Sequence, residues 1–394
     1  MGDFDANSFL RAARHRIAVH GIGGLSLRRI AQDAGASPGA LSYHIGDKAT
    51  LMARLIDAEI AARHARYGAW QARAAPLDPT CPQTLAAIVT AWLDEAASSC
   101  REDTAMACEL VLEAGIARDG LPGMSDLFDA EDRFWAGLLG GGRWTAAEPL
   151  GKAIAAYCRD ELPFTLALAA DADYRLLRAA TISRLAAGFA GDGAGIARHF
   201  DALVNACGQA CGSSLLPIDL PDGSRKAELA QHIAVLIMEQ GIAALSHRAV
   251  AARAGVSNSN VAHHFRTSED LLYAGMGGLI QRMRRELRSP PGQRWHHGLA
   301  VIRATHAIAL AAARDPALRP FALDMRRRRA ENVRMDIAAQ IGVDVTCDGA
   351  AVQAATMVLI GSGLARQADD ARQERGVITA HHVAALRQSR AGPG

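Results

Sequence analysis

Phe9, Ala13 and Ile17 recur at intervals of four in an otherwise polar stretch, the pattern of a helix buried along one stripe. The same spacing returns 220 positions later at Leu229, Ile233 and Ile237. The segment after each stripe also repeats: residues 21–52 align with 241–272 without a gap, and eleven of these 32 positions are identical. They are Gly21, Ile22, Leu25, Ser26, Arg28, Ala31, Ala34, Gly35, Ser37, His44 and Leu51. A repeat of this length is a duplicated module rather than one unit of a solenoid.

Within each copy the punctuation predicts two short helices and the start of a longer one. Ser26 and Ser246 are N-cap residues for helices over 27–34 and 247–254. Gly35 and Gly255 come next, at the position where a left-handed backbone ends a helix. Ser37 and Ser257 cap a second helix, with Pro38 in its first turn, where no N–H is missed. Asp47 and Thr267 cap a longer helix beginning near Lys48 and Ser268. Two short helices joined by a glycine turn are a helix-turn-helix, supported by the striped helix before them.

The rest of the chain is helical in pattern. Segments 60–215 and 282–394 come after the two repeated heads, and a second correspondence ties them together. RAATISRLAAGFA from Arg178 matches QAATMVLIGSGLA from Gln353 at an offset of 175, with further helices over 199–211 and 381–390. The small residues Ala186, Ala187, Gly188, Gly361, Ser362 and Gly363 would let such helices approach closely; an Ala/Gly-rich composition accounts for them equally well. LLPIDLPDGS, with Pro217, Pro221 and Gly223, reads as a linker between halves.

Composition narrows the class. With 394 residues, half of them apolar, the chain can bury two to four cores. Abundant alanine and few aromatics favour an all-α fold. The formal net charge of +2 neither requires nor excludes a polyanionic partner, so any basic surface must be local. No apolar run approaches the ~20 residues of a membrane span, and the polar, acidic N-terminus does not read as a signal peptide. Seven cysteines without framework spacing suit a reducing, cytoplasmic setting. Cys207 and Cys211 share a helix face, as packing residues or as a thiolate pair. His247, His263 and His264 do not suit a metal, because adjacent helical residues point about 100° apart. No HExxH, GxSxG or GxxxxGK[ST] pattern marks an enzyme, and no cofactor is implied.

SLRRIAQDAGASPGALSYHIGDKATLM and SHRAVAARAGVSNSNVAHHFRTSEDLL both resemble the DNA-binding domain of the TetR family of bacterial transcriptional regulators. The likeness covers about 50 residues of each half. It implies an all-α chain of two tandem modules, each a three-helix head plus a helical regulatory domain, folded as an intramolecular pseudo-dimer. The boundaries expected are 1–50 and 225–270 for the heads, 51–215 and 271–394 for the helical domains, and 216–224 for the linker. Departures from the family pattern fall at Ser42 and Ala262 in place of tyrosine, with Tyr43 next door, and at Ile45 where Phe265 keeps the phenylalanine. At the start of the fourth helix Lys48 is kept in the first copy and replaced by Ser268 in the second, where Arg266 offers a substitute cation.

In a helix-turn-helix the second helix enters the major groove by its N-terminal residues. That places Pro38, Gly39, Ala40, Ser42 and Tyr43 at base edges in the first copy, and Asn258, Ser259, Asn260 and His263 in the second. Pro38, Gly39 and Ala40 permit close approach and apolar contact with a thymine methyl, whereas Asn258 and Asn260 can pair with adenine. Ser37, Ser257, Tyr43, His44, His264, Lys48, Arg28 and Arg248 are cast as phosphate contacts. For Arg28 and Arg248 solvated helix surface is the alternative, and for His44 and His264 a packing role.

The family likeness further implies a small-molecule effector bound in a helical domain. The first half offers Trp92, Cys108, Glu109, Phe128, Trp135, Trp144, Tyr157 and Phe164, a set that describes an ordinary core equally well. The second half, with Trp295 and Phe321, is poorer in aromatics, which suggests that one half senses while both read. Residues 101–135 carry nine acidic and three basic side chains, expected to be largely solvated or to repel DNA. Arg326–Arg329 reads as a solvated helix face or a supplementary phosphate contact. The function expected is therefore a DNA-binding regulator, a repressor by family habit, acting at the nucleoid on an operator with two unlike half-sites. The rivals are a regulator with one inactive head that dimerises through its first heads, and a helical ligand-binding protein without DNA binding.

Overall fold

The computed structural model describes residues 6–117, 121–140, 147–191, 195–211, 220–287, 295–331, 333–344, 348–367, 383 and 385–386. Trp144, Pro217 and most of the helix expected over 381–390 lie outside the described residues, as does the side chain of Trp295. The first head and its continuation comprise α1 (Ala6–His20), α2 (Leu27–Asp33), α3 (Pro38–His44) and α4 (Lys48–Ala74). The first body adds α5 (Pro82–Ala97), α6 (Arg101–Ala114), α7 (Met124–Leu138), α8 (Ala147–Leu168), α9 (Ala172–Ala186) and α10 (Phe200–Ala210). The second head repeats the opening with α11 (Arg225–Gln240), α12 (His247–Ala254), α13 (Asn258–His264) and α14 (Ser268–Leu287). α15 (Trp295–Arg314), α16 (Arg319–Arg327), α17 (Arg334–Ile341) and α18 (Gly349–Gln367) complete the second body. No strand occurs among the described residues.

Both stripes are buried as their spacing requires. Phe9, Ala13 and Ile17 close over Ile30, Leu41 and Ile45, and Leu229, Ile233 and Ile237 close over Val250, Val261 and Phe265. α4 and α14 run through positions 50 and 270, so each head passes into its body on one continuous helix.

The two bodies are joined by two shared core clusters. Tyr157 and Leu185 of the first pack in the same cluster as Leu310, Val352 and Val358 of the second. α8 is the central helix of this joint and lies against α15, α16 and α18. At its crossing with α18 a methyl group on Gly361 would overlap the Ala156 carbonyl, so glycine is what permits the approach. The small residues of the first half serve differently. α9 ends at Ala186, and Gly188 (φ 61°) turns the chain out of the helix.

The same joint corrects the reading of Arg326–Arg329 as solvated. Arg326 is fully buried and forks onto Glu161 at 2.6 and 2.8 Å. Glu161 also accepts the hydroxyls of Tyr157 and Tyr174, each at 2.8 Å. Burial alone would raise the Glu161 carboxyl, but Arg326 holds it below the usual range. Arg329 bonds Asp160 at 2.8 Å, which also takes His306 at 2.7 Å, while Arg327 and Arg328 pair with Asp324 on their own helix. Because unpaired charge is so costly in a dry interior, arginines on one half and carboxylates on the other fix the register of the joint. The acidic stretch 101–135 is likewise only partly solvated: Glu109 and Glu131 are buried, the latter against Arg159 at 2.6 Å.

Candidate nucleic-acid interface

Each reading helix is built by local chemistry. The Ser37 hydroxyl accepts from Ala40 N at 3.1 Å and starts α3 beside Pro38. Ser257 does the same for Asn260 N at 3.2 Å, starting α13. Gly35 (φ 68°) and Gly255 (φ 66°) adopt the left-handed turn that separates α2 from α3 and α12 from α13. Asp47 accepts from Thr50 N at 2.8 Å to open α4. At the equivalent place Thr267 accepts from Asp270 N, and Asp270 in turn accepts from Arg266 N and Thr267 N. Ser246 caps α12 through Ala249 N, whereas Ser26 stands at the head of α2 without a side-chain cap bond.

The far end of each reading helix is tied down by a different residue. In the first head Arg54 Nη1 donates to His44 O at 2.9 Å. In the second the His247 ring nitrogen bonds Phe265 O at 2.6 Å. Neither lock is legible in the sequence, since each joins residues that become neighbours only after the turn forms.

The faces that remain carry the residues singled out from sequence. Ser37, Pro38, Gly39, Ser42, Tyr43, Lys48 and Arg28 are exposed, and Tyr43 is 86% exposed. Ala40 and His44 are half-buried, the His44 ring lying 5.1 Å from Tyr43 and 6.1 Å from Phe9. Ser257, Asn258, Ser259, Asn260, His263, Arg248 and Arg266 are exposed, with His264 half-buried against Phe265. Burial, His263, Lys226 and Arg225 together lower the His264 pKa, favouring its neutral form. Arg225 and Lys226 stand at the start of α11, where Arg225 pairs with Glu228 at 2.7 Å. The sequence signal was present, a basic pair directly after the N-cap Ser224, but it lies outside the repeated motif.

The two heads meet each other through equivalent parts. The 3-10 turn Ile22–Gly24, between α1 and α2, contacts the 3-10 turn Ile242–Ala244, its counterpart 220 residues on. Contact of a surface with its own equivalent is the mark of two-fold association.

The residues considered for an effector occupy another place. Trp92 and Trp135 pack edge to face at 5.6 Å in the core, and Arg159 lies 4.7 Å over Phe128. Tyr157 donates to Glu161, and Phe164 lies beneath Arg329. Burial pushes the Cys108 thiol up to about 12. Cys108 and Phe128 border a cavity of about 20 Å³, room for about one water molecule. Glu109 is engaged by Arg314 at 2.5 Å and accepts from Ile22 N at 3.3 Å. Cys207 is buried in α10, its thiol raised to about 12 by that burial. Among the described residues no group of three or more His, Cys, Asp and Glu side chains gathers as metal ligands, and no helix is long and apolar enough to cross a membrane.

Comparison with known proteins agrees with this geometry. The sequence model of bacterial regulatory proteins of the tetR family matches the chain twice, at residues 9–55 and 233–274. These segments coincide with the two helix-turn-helix heads. No curated protein matches the chain. With this head present twice, and each reading helix capped by a serine, preceded by a glycine turn and exposed, the chain carries two tandem TetR-family DNA-binding domains, which support a DNA-binding transcriptional regulator.

Proposed function

We propose that one chain acts as a covalent pseudo-dimer, a repressor that sets two unlike reading helices on one duplex and is released by a small-molecule effector. The observation that carries this reading is the meeting of the equivalent 3-10 turns while α3 and α13 both face solvent. A symmetric dimer presents the same reader twice and so favours a palindrome, with half-sites about 34–36 Å apart. Here the joined chain offers Pro38, Gly39 and Ala40 at one half-site and Asn258, Ser259 and Asn260 at the other. The first set suits close approach and thymine methyls, the second hydrogen bonding to adenine.

Stoichiometry tests the proposal. Sedimentation of the purified chain with a duplex carrying its selected operator is expected to give one chain per duplex. Two chains per duplex at saturation would favour instead a regulator that dimerises and reads with its first heads only.

A further inference from the structure

Two cavities occupy equivalent places beneath the heads. The first, about 380 Å³, is walled by His15, Ala18 and Val19 of α1, by the start of α6, and by the end of α15. The second, about 430 Å³, uses Val235, Met238 and Glu239 of α11, the same three positions 220 residues on. Its opposite wall includes Gly115 and Ile116, just beyond α6. Each cavity therefore sets the first helix of one head against a helix end from the other half, as a pseudo-two-fold axis requires.

The first cavity contains the guanidinium of Arg101. Arg101 Nη1 donates to Leu166 O and Nη2 to Ala313 O, each at 2.7 Å, near the ends of α8 and α15. Among the described residues no carboxylate bonds to it. Burial, with Arg319 and Arg314 nearby, holds this guanidinium below the usual arginine value, and an anion beside it would relieve that strain. Of the other charges in the wall, Arg314 holds Glu109, while Glu102 is half-exposed, 3.4 Å from the His15 ring. The apolar surface of the wall comes from Val19, 44% exposed, with Ala18 and Ala313, while Leu166 and Leu310 lie buried behind it. The second cavity carries Glu239 where the first has Val19, a carboxylate in place of apolar surface.

Arg314 connects this cavity to the head contact. Its Nε donates to Ala18 O at 2.8 Å and its Nη2 to Ile17 O at 3.2 Å, at the end of α1. Its partner Glu109 holds Ile22 N, the first residue of the 3-10 turn that meets the second head.

We propose that the first cavity binds a small amphipathic carboxylate, its anionic group on Arg101 and its apolar body against Ala18, Val19 and Ala313, and that occupancy loosens the hold of Arg314 on the first head. The release step rests on the reading of the chain as an effector-controlled regulator; the binding site does not.

Octanoate is the probe, titrated calorimetrically into the full, DNA-free chain, with octan-1-ol as its uncharged counterpart. The expected result is one saturable octanoate site per chain that octan-1-ol does not match. Arg101→Gln should weaken octanoate at least tenfold. Ser99→Trp, which fills the rim and keeps Arg101, should do the same and decides the matter if Arg101→Gln does not fold. No saturable octanoate site, equal binding of octan-1-ol, or unchanged affinity in Ser99→Trp would overturn the site. Operator affinity measured with and without saturating octanoate then separates the two claims. At least a tenfold loss supports release. Unchanged affinity overturns release while leaving the site, and a chain that binds octanoate but no duplex overturns the regulator reading alone.

Discussion

At position 33 of the first head an aspartate reaches back to Arg16, 2.6 Å away; at the equivalent position 253 of the second an arginine reaches back to Glu239, also at 2.6 Å. Each head thus ties its first helix to its second with one ion pair, but only positions 33 and 253 correspond, since Arg16 aligns with Leu236 and Glu239 with Val19. The locks on the reading helices show the same thing in another form, Arg54 on His44 O in one head and His247 on Phe265 O in the other. The serine caps of the reading helices and the glycine turns before them, which set the shape of the helix-turn-helix, are the same in both heads. The positions cast at base edges differ throughout, Pro38, Gly39, Ala40, Ser42 and Tyr43 against Asn258, Ser259, Asn260, Ala262 and His263, whereas the phosphate contacts Arg28, Ser37 and His44 recur as Arg248, Ser257 and His264; Lys48 gives way to Ser268, while Arg266, Arg225 and Lys226 appear where the first head has Gly46, Asp5 and Ala6. Scaffold constraints act inside one head and are satisfied by any pair that closes the same gap. Reading constraints come from a base sequence outside the molecule, and once the heads share a chain each can answer to its own half-site.

The comparison breaks most completely at the joint on which both heads stand. Glu161→Ala leaves Arg326 buried without its partner and should cost ~3–5 kcal/mol in urea unfolding. Replacing both together, as Glu161→Leu with Arg326→Met, should recover most of that loss, because desolvated charge rather than the pair itself sets the cost. Equal stability of Glu161→Ala and the unaltered chain would mean that the joint does not hold the halves together.

Substitution of the readers sharpens the comparison. Asn260→Ala should weaken binding by ~1–3 kcal/mol, and only to duplexes that retain the second half-site. A change spread evenly over both half-sites would show that Asn260 contacts backbone rather than a base. Lys48→Ala should weaken all sequences alike and flatten the salt dependence of binding by about one phosphate contact. Lys226→Ala should give the corresponding loss for the second head, and a salt slope that does not change would remove Lys226 from the interface.

The smallest effect belongs to the ion pair that ties the first helix to the second in each head. Asp33→Ala or Arg253→Ala should cost only ~0.2–1 kcal/mol each in thermal unfolding, since both pairs lie at the surface. A loss several times larger in one head alone would show that the two scaffolds are not equivalent after all.

The heads were legible because their signals are local. A serine three residues before the amide it caps, or a glycine at a left-handed turn, acts within a single turn of chain, so Ser37, Ser257, Gly35 and Gly255 could be placed by spacing alone. The joint was not legible, because its pairs lie far apart in the chain. Arg326 finds Glu161 across 165 residues and Arg329 finds Asp160 across 169. A signal was available on one side: Asp160 and Glu161 sit in the middle of an apolar helix, where carboxylates need partners. The aromatics of the first half illustrate a third case. Trp92, Trp135 and Tyr157 carry the same composition whether they line a site or fill a core, and only their packing tells which.

The most direct test of the whole account is the sequence preferred by the intact chain when it selects duplexes from a random pool. Two dissimilar half-sites about one helical turn apart are expected, one of them lost on Asn260→Ala and the other on Tyr43→Ala. A perfect inverted repeat, or a single half-site untouched by Asn260→Ala, would contradict it.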